Sequence, residues 1–409
     1  MKGILLFLLL SFGTGKITEA QYRYDNILYK TVYIDDLCDA LKNNPGYLLL
    51  DVRSKGEYYD TSSSASLNIG HLKGAVNMDI QEKDTRWKEL LPYKDKPIFI
   101  YCSHSQRSRV FSKFLADSGF TKIINVNGAM TEFNLLKHSH IACAKDIYET
   151  HNKFSLLSPP EVEKLMLSEK DLFILDVRPD SVFRGISTDA LENALGKFKG
   201  AVNIPFDQLS SSLEKIPRNR PILVVADYGR ETNLASAMLS EKGYARVYAA
   251  FNGMNQWIST PAAALPQRNK LWIKNNSFST MTAEEMNDFM TKSPRTFILD
   301  VRTPEEFTNQ EKKQTWKNRG HVLNAVNIPA AELEKRWSEI AGQKNKDIIL
   351  YTFGTNKEAF EAANQLSAKG FTKVHVLIGG LWDIRWKAAN LKGLSPLMKW
   401  VVDVPSDNL

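Results

Sequence analysis

One cysteine of the chain is placed for nucleophilic chemistry. Cys102 follows the apolar run Ile98–Tyr101 and precedes a predicted helix. In open parallel sheets, ligands bind at the carboxyl ends of strands, where loops meet helix N-termini. The backbone N–H groups of residues 103–107, the helix dipole and the charge of Arg107 would each favour thiolate over thiol. Because the thiolate is the attacking species, the sequence predicts a nucleophile held in an anion-binding loop.

The length of this loop favours sulfur chemistry over phosphate chemistry. Four residues separate Cys102 from Arg107, and Ser108 rather than an arginine occupies the next position. A loop longer by one residue would be wide enough for tetrahedral phosphate, as in dual-specificity phosphatases. Arg109 follows one position later, and we expect it to face out of the helix. The small ring therefore favours a persulfide on Cys102.

The loop belongs to a unit that is repeated three times. Leu-Leu-Asp-Val-Arg at 49–53 returns as Ile-Leu-Asp-Val-Arg at 174–178 and 298–302, with spacings of 125 and 124 residues. A second phrase ends in Ala-Val-Asn at 75–77, 201–203 and 325–327. A period of this length indicates duplicated domains rather than a solenoid.

The repeated unit is predicted to have an α/β fold. Short apolar runs alternate with helical stretches, which is typical of βαβ units and of a small parallel sheet flanked by helices. In the first unit we predict strands and helices in the order helix 33–41, strand 48–52, strand 98–101, helix 109–118 and strand 123–126. The chain is accordingly divided into domains at 22–148, 152–268 and 272–392, with a tail at 393–409 outside the repeat.

These phrases resemble the rhodanese family, and the likeness covers nearly the whole chain as three tandem domains. The matching segments are Asp51–Arg53, Gly70–Asn77, Tyr101–Cys102, Arg107–Ser108 and Gly128. The resemblance implies that Cys102 takes a sulfane sulfur from a small donor such as thiosulfate. The sulfur then passes to cyanide or a thiol, and no cofactor or metal is implied.

The resemblance also implies roles for the neighbouring residues. Arg107 and the loop residues Ser103, His104, Ser105 and Gln106 would bind the substrate and cradle the persulfide. Asp51 and Arg53 are expected to brace the loop, with Glu57 as a partner for Arg53. Many family members have glycine where this loop has Ser105, and thiosulfate-preferring members have basic residues after the cysteine. The sequence therefore leaves the sulfur donor open.

The second and third units are predicted to be inactive. Alignment of their strands places Ala226 and Glu231 where the first unit has Cys102 and Arg107, and an alanine has no nucleophile. In the third unit Thr352 and Lys357 occupy these positions, and a hydroxyl without an adjacent base is a poor nucleophile.

Composition and the N-terminus bear on location and partners. The chain has a net charge of +7, but its basic residues are dispersed, so nucleic-acid binding is not indicated. Lys2 precedes the apolar run 4–12, which is too short to span a bilayer and predicts a signal peptide at 1–20. A buried first helix or strand is the alternative. We expect an exported protein, periplasmic or extracellular, without stable membrane insertion.

The chain has three cysteines. Cys38 and Cys143 could form a disulfide that leaves Cys102 free, but we favour the alternative that both are small buried apolar groups. His138, His140 and Cys143 could ligate a metal, although a solvated helix is the favoured interpretation. Two other functions stay open: a non-catalytic binding or scaffold protein, and a redox protein in which Cys38 or Cys143 resolves an oxidised Cys102.

Overall fold

The computed structural model describes residues 29–274 and 276–405. The predicted signal peptide at 1–20 lies outside the described residues. Among the described residues, no helix has both the length and the apolar character that crossing a bilayer requires.

The first domain contains a five-stranded sheet and a two-stranded ribbon. Its strands are β1 (Lys30–Tyr33), β2 (Leu48–Asp51), β3 (His71–Leu72), β4 (Val76–Asn77), β5 (Ile98–Tyr101), β6 (Ile123–Asn127) and β7 (Tyr148–Glu149). Its helices are α1 (Leu37–Lys42), α2 (Lys55–Tyr58), α3 (Lys83–Arg86), α4 (Gln106–Asp117), α5 (Ala129–Leu136) and α6 (Ala144–Ile147).

The second domain repeats this arrangement. Its strands are β8 (Ser155–Leu157), β9 (Phe173–Asp176), β10 (Lys197–Phe198), β11 (Val202–Asn203), β12 (Ile222–Val225), β13 (Val247–Ala250) and β14 (Trp272–Ile273). Its helices are α7 (Pro159–Ser168), α8 (Asp180–Arg184), α9 (Ala190–Ala194), α10 (Phe206–Leu209), α11 (Gly229–Glu241), α12 (Gly253–Ser259) and α13 (Arg268–Leu271).

The third domain has the same seven strands. They are β15 (Ser279–Met281), β16 (Phe297–Asp300), β17 (His321–Val322), β18 (Val326–Asn327), β19 (Ile348–Tyr351), β20 (Val374–Leu377) and β21 (Val401–Val402). Its helices are α14 (Ala283–Lys292), α15 (Pro304–Phe307), α16 (Ala330–Arg336), α17 (Lys357–Ala368) and α18 (Gly380–Asn390).

All three large sheets are parallel and have one strand order. The order is β1-β6-β5-β2-β4 in the first domain, and β8-β13-β12-β9-β11 and β15-β20-β19-β16-β18 in the others. The central strands β5, β12 and β19 are buried along their whole length, as expected for apolar runs covered by helices on both faces. The predicted α/β fold of three domains is confirmed.

Several predicted boundaries are wrong, including the start of the third domain at 272, because β14 pairs with β10 of the second domain. The predicted helix 33–41 begins as the edge strand β1, which pairs with β6, and α1 starts only at Leu37. The predicted tail is not outside the repeat, because β21 pairs with β17 as β7 pairs with β3 and β14 with β10. Strands of two residues leave too little sequence pattern to reveal this third copy.

A disulfide joins Cys38 and Cys143, whose Cα atoms are 5.8 Å apart. The sequence left this pairing open and favoured two unpaired cysteines, whereas the fold brings together these two positions, 105 residues apart in sequence. All three cysteines lie in the first domain, so only this domain is cross-linked.

Successive domains pack head to tail. The side chain of Asn233 in α11 donates to the Ala65 carbonyl of the first domain at 2.8 Å, and Ser66 lies against Gly229 at the start of the same helix. In the same way, α17 of the third domain packs on α9 of the second. A segment of one domain thus covers the start of the helix that follows the central strand of the next.

Candidate active site

Cys102 directly follows the central strand β5 and is 1% exposed. Its thiol lies 3.7 Å from the hydroxyl oxygen of Ser108, which in turn donates to the Ser105 carbonyl at 3.0 Å. The Cys102 carbonyl accepts a hydrogen bond from the backbone N–H of Met130 at the start of α5. The cysteine is therefore fixed at the carboxyl edge of the sheet, as predicted from its position after an apolar run.

Ser105 shapes the turn that follows Cys102. Its φ is +75°, in the left-handed region that favours glycine, and it immediately precedes α4. The Ser105 hydroxyl accepts a hydrogen bond from the Gly128 N–H at 2.8 Å. A serine at this position therefore adopts a strained conformation, and its side chain ties the loop to the residue before α5.

Arg107 closes the loop through an ion pair with Glu57. Two nitrogens of the Arg107 guanidinium donate to the two carboxylate oxygens of Glu57 at 2.6 and 2.7 Å, and one of them also donates to the Ser103 hydroxyl at 2.9 Å. Burial alone would raise the pKa of Glu57, but hydrogen bonds from Arg107 and from the Ser54 backbone bring it below its usual value. Glu57 is held in place by a capping box with Ser54 at the start of α2.

Asp51 and Arg53 form a separate, fully buried pair. Arg53 Nη2 donates to an Asp51 oxygen at 2.7 Å and to the Gly70 carbonyl at 2.8 Å. The predicted contact between Glu57 and Arg53 is wrong. Arg53 forms its hydrogen bonds with Asp51 and Gly70, whereas α2 directs Glu57 towards Arg107 in the loop. Asp51 lies in register with Tyr101 on the neighbouring strand, so the pair joins the loop's base to the segment at Gly70.

One nitrogen of Arg53, Nη1, is buried without a hydrogen-bond partner among the described residues. The equivalent atom of the second domain, Arg178 Nη1, donates to the carboxylate of Asp227 at 3.3 Å. Asp227 follows Ala226 as Ser103 follows Cys102. The comparison locates Arg53 Nη1 on the side of its guanidinium that faces the cysteine loop.

His104 is exposed and bridges the loop to α5. Its two ring nitrogens lie 2.9 Å from the Ser103 hydroxyl and 3.2 Å from the Thr131 hydroxyl. Desolvation by the surrounding cavity wall, followed by the positive charge of Arg107, lowers the pKa of His104. The imidazole is therefore neutral near pH 7 and adds no cation beside Cys102.

Arg109 is buried, which corrects the prediction that it faces out of the helix. Its guanidinium donates to the Asn127 side chain at 2.7 Å. Because α4 begins at Gln106 rather than at the predicted residue 109, Arg109 lies on the face that packs against β6.

The second domain lacks the chemistry of the first. Ala226 stands after β12 and is buried, and Glu231 pairs with Arg230 on the surface instead of facing the loop. Burial raises the pKa of Asp227 to about 6, although Arg178 acts in the opposite direction. A carboxylate therefore occupies the loop where the first domain offers a serine.

The third domain also lacks a nucleophile and base. The Thr352 hydroxyl donates to the Gly354 carbonyl at 2.7 Å, and Lys357 points to Glu361 at 3.9 Å. Here too Arg302 Nη1 is buried without a hydrogen-bond partner among the described residues, but no thiol accompanies it.

The three domains surround a cavity of about 1110 Å³. The loop residues His104 and Gln106 line it, together with Thr131 and Glu132 of α5. Asn255 of the second domain and Trp382 of the third occupy the position of Thr131 and also line it. The second and third domains therefore contribute most of the residues that line the cavity beside the cysteine loop.

The segment 138–143 does not form the predicted helix, because α5 ends at Leu136. His138 pairs with Glu161 at 2.8 Å, and Cys143 is bonded to Cys38. Throughout 29–274 and 276–405, no three His, Cys, Asp or Glu side chains are grouped to hold a metal ion. The disulfide also removes both thiols that would resolve an oxidised Cys102, which argues against the redox hypothesis.

Sequence reasoning missed two residues near the Cys102 loop, Thr131 and Glu132, and one residue in the corresponding loop of the second domain, Asp227. Thr131 and Glu132 come from α5, whose start is bonded to the loop by the backbone of Met130 and Thr131. The Gly128 position at the end of β6 was the available signal for this contact. Asp227 could have been found from the sequence, because it directly follows Ala226, the residue aligned with Cys102.

Comparison with known proteins identifies the repeated unit. The family model described as "Rhodanese-like domain" matches residues 35–136, 158–260 and 282–385. A probable molybdopterin-synthase adenylyltransferase of Porphyra purpurea is 37% identical over 95 residues, which are 23% of this chain and 22% of that protein. The chain thus spans less than a quarter of that relative's length.

Two further comparisons involve proteins named as sulfurtransferases. The thiosulfate sulfurtransferase PspE of Escherichia coli is 31% identical over 86 residues, 21% of this chain and 71% of that protein. The match with the crystal structure of a thiosulfate sulfurtransferase from Pseudomonas aeruginosa covers 86% of this chain and 66% of that protein's chain, with 17% identity and a TM-score of 0.22.

Proposed function

Because the chain belongs to the rhodanese-like domain family, which includes sulfurtransferases, we propose that it transfers sulfane sulfur through a persulfide on Cys102. The observation that carries the proposal is the loop of the first domain. It has a cysteine at the end of the central strand and an arginine five positions later, oriented by a buried carboxylate. Neither feature is present in the other two domains.

The reaction is a double displacement. The Cys102 thiolate attacks the outer sulfur of a donor such as thiosulfate, the S–S bond of the donor breaks, and sulfite leaves with its electron pair. An acceptor such as cyanide then attacks the outer sulfur of the persulfide, and the thiolate of Cys102 is restored. Each step exchanges one bond to sulfur for another, so no cofactor is required.

The loop supports these steps through hydrogen bonds and charge. Backbone N–H groups of residues 103–107 and the start of α4 favour an anion on the sulfur. Arg107 supplies positive charge near Cys102, and the orientation of its guanidinium is fixed by two hydrogen bonds to Glu57. The side chains of Ser103, Ser105 and Gln106 complete the proposed binding site. Since neutral His104 adds no charge, we leave the physiological donor open between thiosulfate and similar sulfane compounds.

The test is a measurement of both half-reactions on the purified protein. Incubation with thiosulfate should add the mass of one sulfur atom to the Cys102 peptide, and cyanide should then release thiocyanate. Cys102→Ser should lower turnover by about a thousandfold or more, because the nucleophile is lost. Thr352→Ala serves as the matched control and should leave the rate within about twofold. Absence of a persulfide with several donors would sink the proposal.

A second candidate is an anion-binding scaffold without turnover. It is favoured by the near-complete burial of Cys102 and by the two domains that lack a nucleophile. Under this hypothesis, thiosulfate would protect the protein against unfolding but would leave no sulfur on Cys102.

We further propose that the protein is exported to an oxidising compartment. The predicted signal peptide motivates this location, and the Cys38–Cys143 disulfide supports it, since such bonds persist outside the reducing cytosol. Fractionation of cells that produce the full chain, followed by sequencing of the mature N-terminus, tests the prediction.

A further inference from the structure

One buried carboxyl group in the central cavity has no hydrogen-bond or ion-pair partner among the described residues. Glu132 lies in the first turn of α5, lines the cavity and is 9% exposed. Within the described residues, no side chain or backbone group forms a hydrogen bond or ion pair with its carboxylate. A buried charge normally requires a partner, so this group is set apart from the other acids of the cavity.

The cation whose charge acts on Glu132 is already engaged. Lys387 of α18 donates to Glu284 at 2.8 Å and lies 3.1 Å from Asp383. Two carboxylates thus share this one ammonium group, and Glu132 is left as an excess acid beside them. Burial, only partly opposed by Lys387, raises the pKa of Glu132 to about 7.

Glu132 is mechanically connected to the cysteine loop. The backbone N–H groups of Met130 and Thr131 donate to the carbonyls of Cys102 and Ser103, each at 3.1 Å. Glu132 is the next residue of the same helical turn. Because the two exposed residues of the loop, His104 and Gln106, line the same cavity, a molecule held at Glu132 would share that cavity with the loop that carries Cys102.

The chemistry of this part of the wall suits a small organic cation. An ammonium group would supply the positive countercharge that the Glu132 carboxylate lacks among the described residues. Trp382, which is 45% exposed in the same cavity, offers an aromatic face to such a cation. Three arginines, Arg109, Arg319 and Arg385, also line the cavity, and each has interactions of its own.

We propose that Glu132 binds the ammonium group of a small aminothiol that accepts sulfur from Cys102. This inference rests on the proposed sulfur transfer and specifies the acceptor. Sulfur uptake leaves the persulfide as the anion Cys102–S–S⁻, which takes one proton from water to give Cys102–S–SH. The acceptor's thiolate then attacks the outer sulfur of this protonated persulfide. A new S–S bond forms as the bond to Cys102 breaks, and the electron pair of that bond remains on Cys102 as a thiolate. The proton stays on the transferred sulfur, so the product is the hydropersulfide of the aminothiol.

Thiols that differ only in their head group provide the test. The full chain is loaded with sulfur from thiosulfate and mixed at about pH 8.5, where Glu132 is ionised, with cysteamine, 2-mercaptoethanol or 3-mercaptopropionate. Second-order rates are expressed per thiolate, since the three thiols ionise differently. Cysteamine should react about 10- to 100-fold faster than 2-mercaptoethanol, as expected for a hydrogen bond between charged groups.

Variants connect the preference to Glu132. Glu132→Gln should abolish the cysteamine preference while leaving the 2-mercaptoethanol rate within about twofold. Glu163→Gln is the matched control, because it changes another buried carboxylate outside the cavity and should retain the preference. The comparison of head groups on the unsubstituted protein remains decisive even if a variant fails to fold.

The outcomes separate this inference from the proposed function. If the protein takes up no sulfur, sulfur transfer itself is refuted. If it takes up sulfur but prefers 3-mercaptopropionate, or shows no preference, the aminothiol acceptor is overturned and sulfur transfer stands. A preference that persists in Glu132→Gln also overturns the role of Glu132.

Discussion

The loops of the first and second domains differ in what faces an otherwise identical arginine. Arg53 and Arg178 each hold an aspartate at 2.7 Å and a glycine carbonyl at 2.8 Å. Beyond these shared contacts, Arg178 Nη1 binds Asp227, whereas Arg53 Nη1 has no hydrogen-bond partner among the described residues. The aspartate–arginine pair therefore belongs to the fold, and the residue after the position of Cys102 determines whether the third guanidinium nitrogen is paired.

Moving the nucleophile tests this comparison most severely. In a double variant with Cys102→Ser and Ala226→Cys, the thiol at position 226 should take up sulfur about a thousandfold more slowly than Cys102, or not at all. Asp227 would repel both the thiolate and the anionic donor. Mass spectrometry of the peptide that contains position 226 gives the rate. Uptake at the rate of the unsubstituted protein would show that the cysteine alone distinguishes the two loops.

The Cys38–Cys143 disulfide is expected to stabilise the first domain, and the other two domains have no such cross-link among the described residues. Replacing Cys38 and Cys143 together by serine should lower the free energy of unfolding of the first domain by about 2–4 kcal/mol, because the closed loop is long. Urea unfolding followed by loss of sulfur uptake at Cys102 reports on this domain. Reductant should weaken the unsubstituted protein by a similar amount and leave the variant unchanged. Equal midpoints for the two proteins would contradict the prediction.

Introducing the second domain's carboxylate into the first should block it. Ser103→Asp is expected to slow sulfur uptake from thiosulfate about 10- to 100-fold, because the new carboxylate pairs with Arg53 and repels the anion. Ser103→Asn, similar in size but neutral, should slow it by less than about threefold. Equal rates for the two variants would mean that shape, rather than charge, controls this position.

The smallest effect is a pH dependence in the second domain. The pKa of Asp227 is raised to about 6, so protonation favours the folded state. Its contribution to stability is complete below the pKa of the unfolded chain, about 3.8, and is lost as the pH rises to about 6. Relative to Asp227→Asn, the protein should thus lose on the order of 1–2 kcal/mol over this range. Calorimetry at several pH values measures the difference, and a pH-independent difference would contradict the assignment.

Much of the molecule was predictable from its repeated phrases. Three copies of Asp-Val-Arg and of Ala-Val-Asn identified the domains, and an apolar run before Cys102 located the nucleophile. These signals are local, since a buried parallel strand is a continuous apolar stretch and the loop follows it directly. The α/β fold and the family could therefore be predicted before any contact was known.

Contacts between distant segments were not predictable in this way. Glu57 is 50 residues from Arg107 in sequence, and its partner depends on how α2 leaves β2. Arg109 was assigned to the wrong face because the start of α4 was placed three residues late, and such a shift turns a helical side chain through most of a turn. The cavity was beyond prediction, because three domains contribute to its wall.

Because the three domains pack head to tail, the cover over the helix that follows the central strand depends on the position of the domain in the chain. Residues 65–68 of the first domain lie on the start of α11, and α9 of the second lies against α17. The start of α4 receives no equivalent cover from the described domains, and Gln106 is exposed there. A copy of the first domain appended behind the third would therefore have the corresponding helix covered by its neighbour. Extension of such a row at its carboxyl end covers one further helix for each added domain and leaves the surroundings of α4 unchanged.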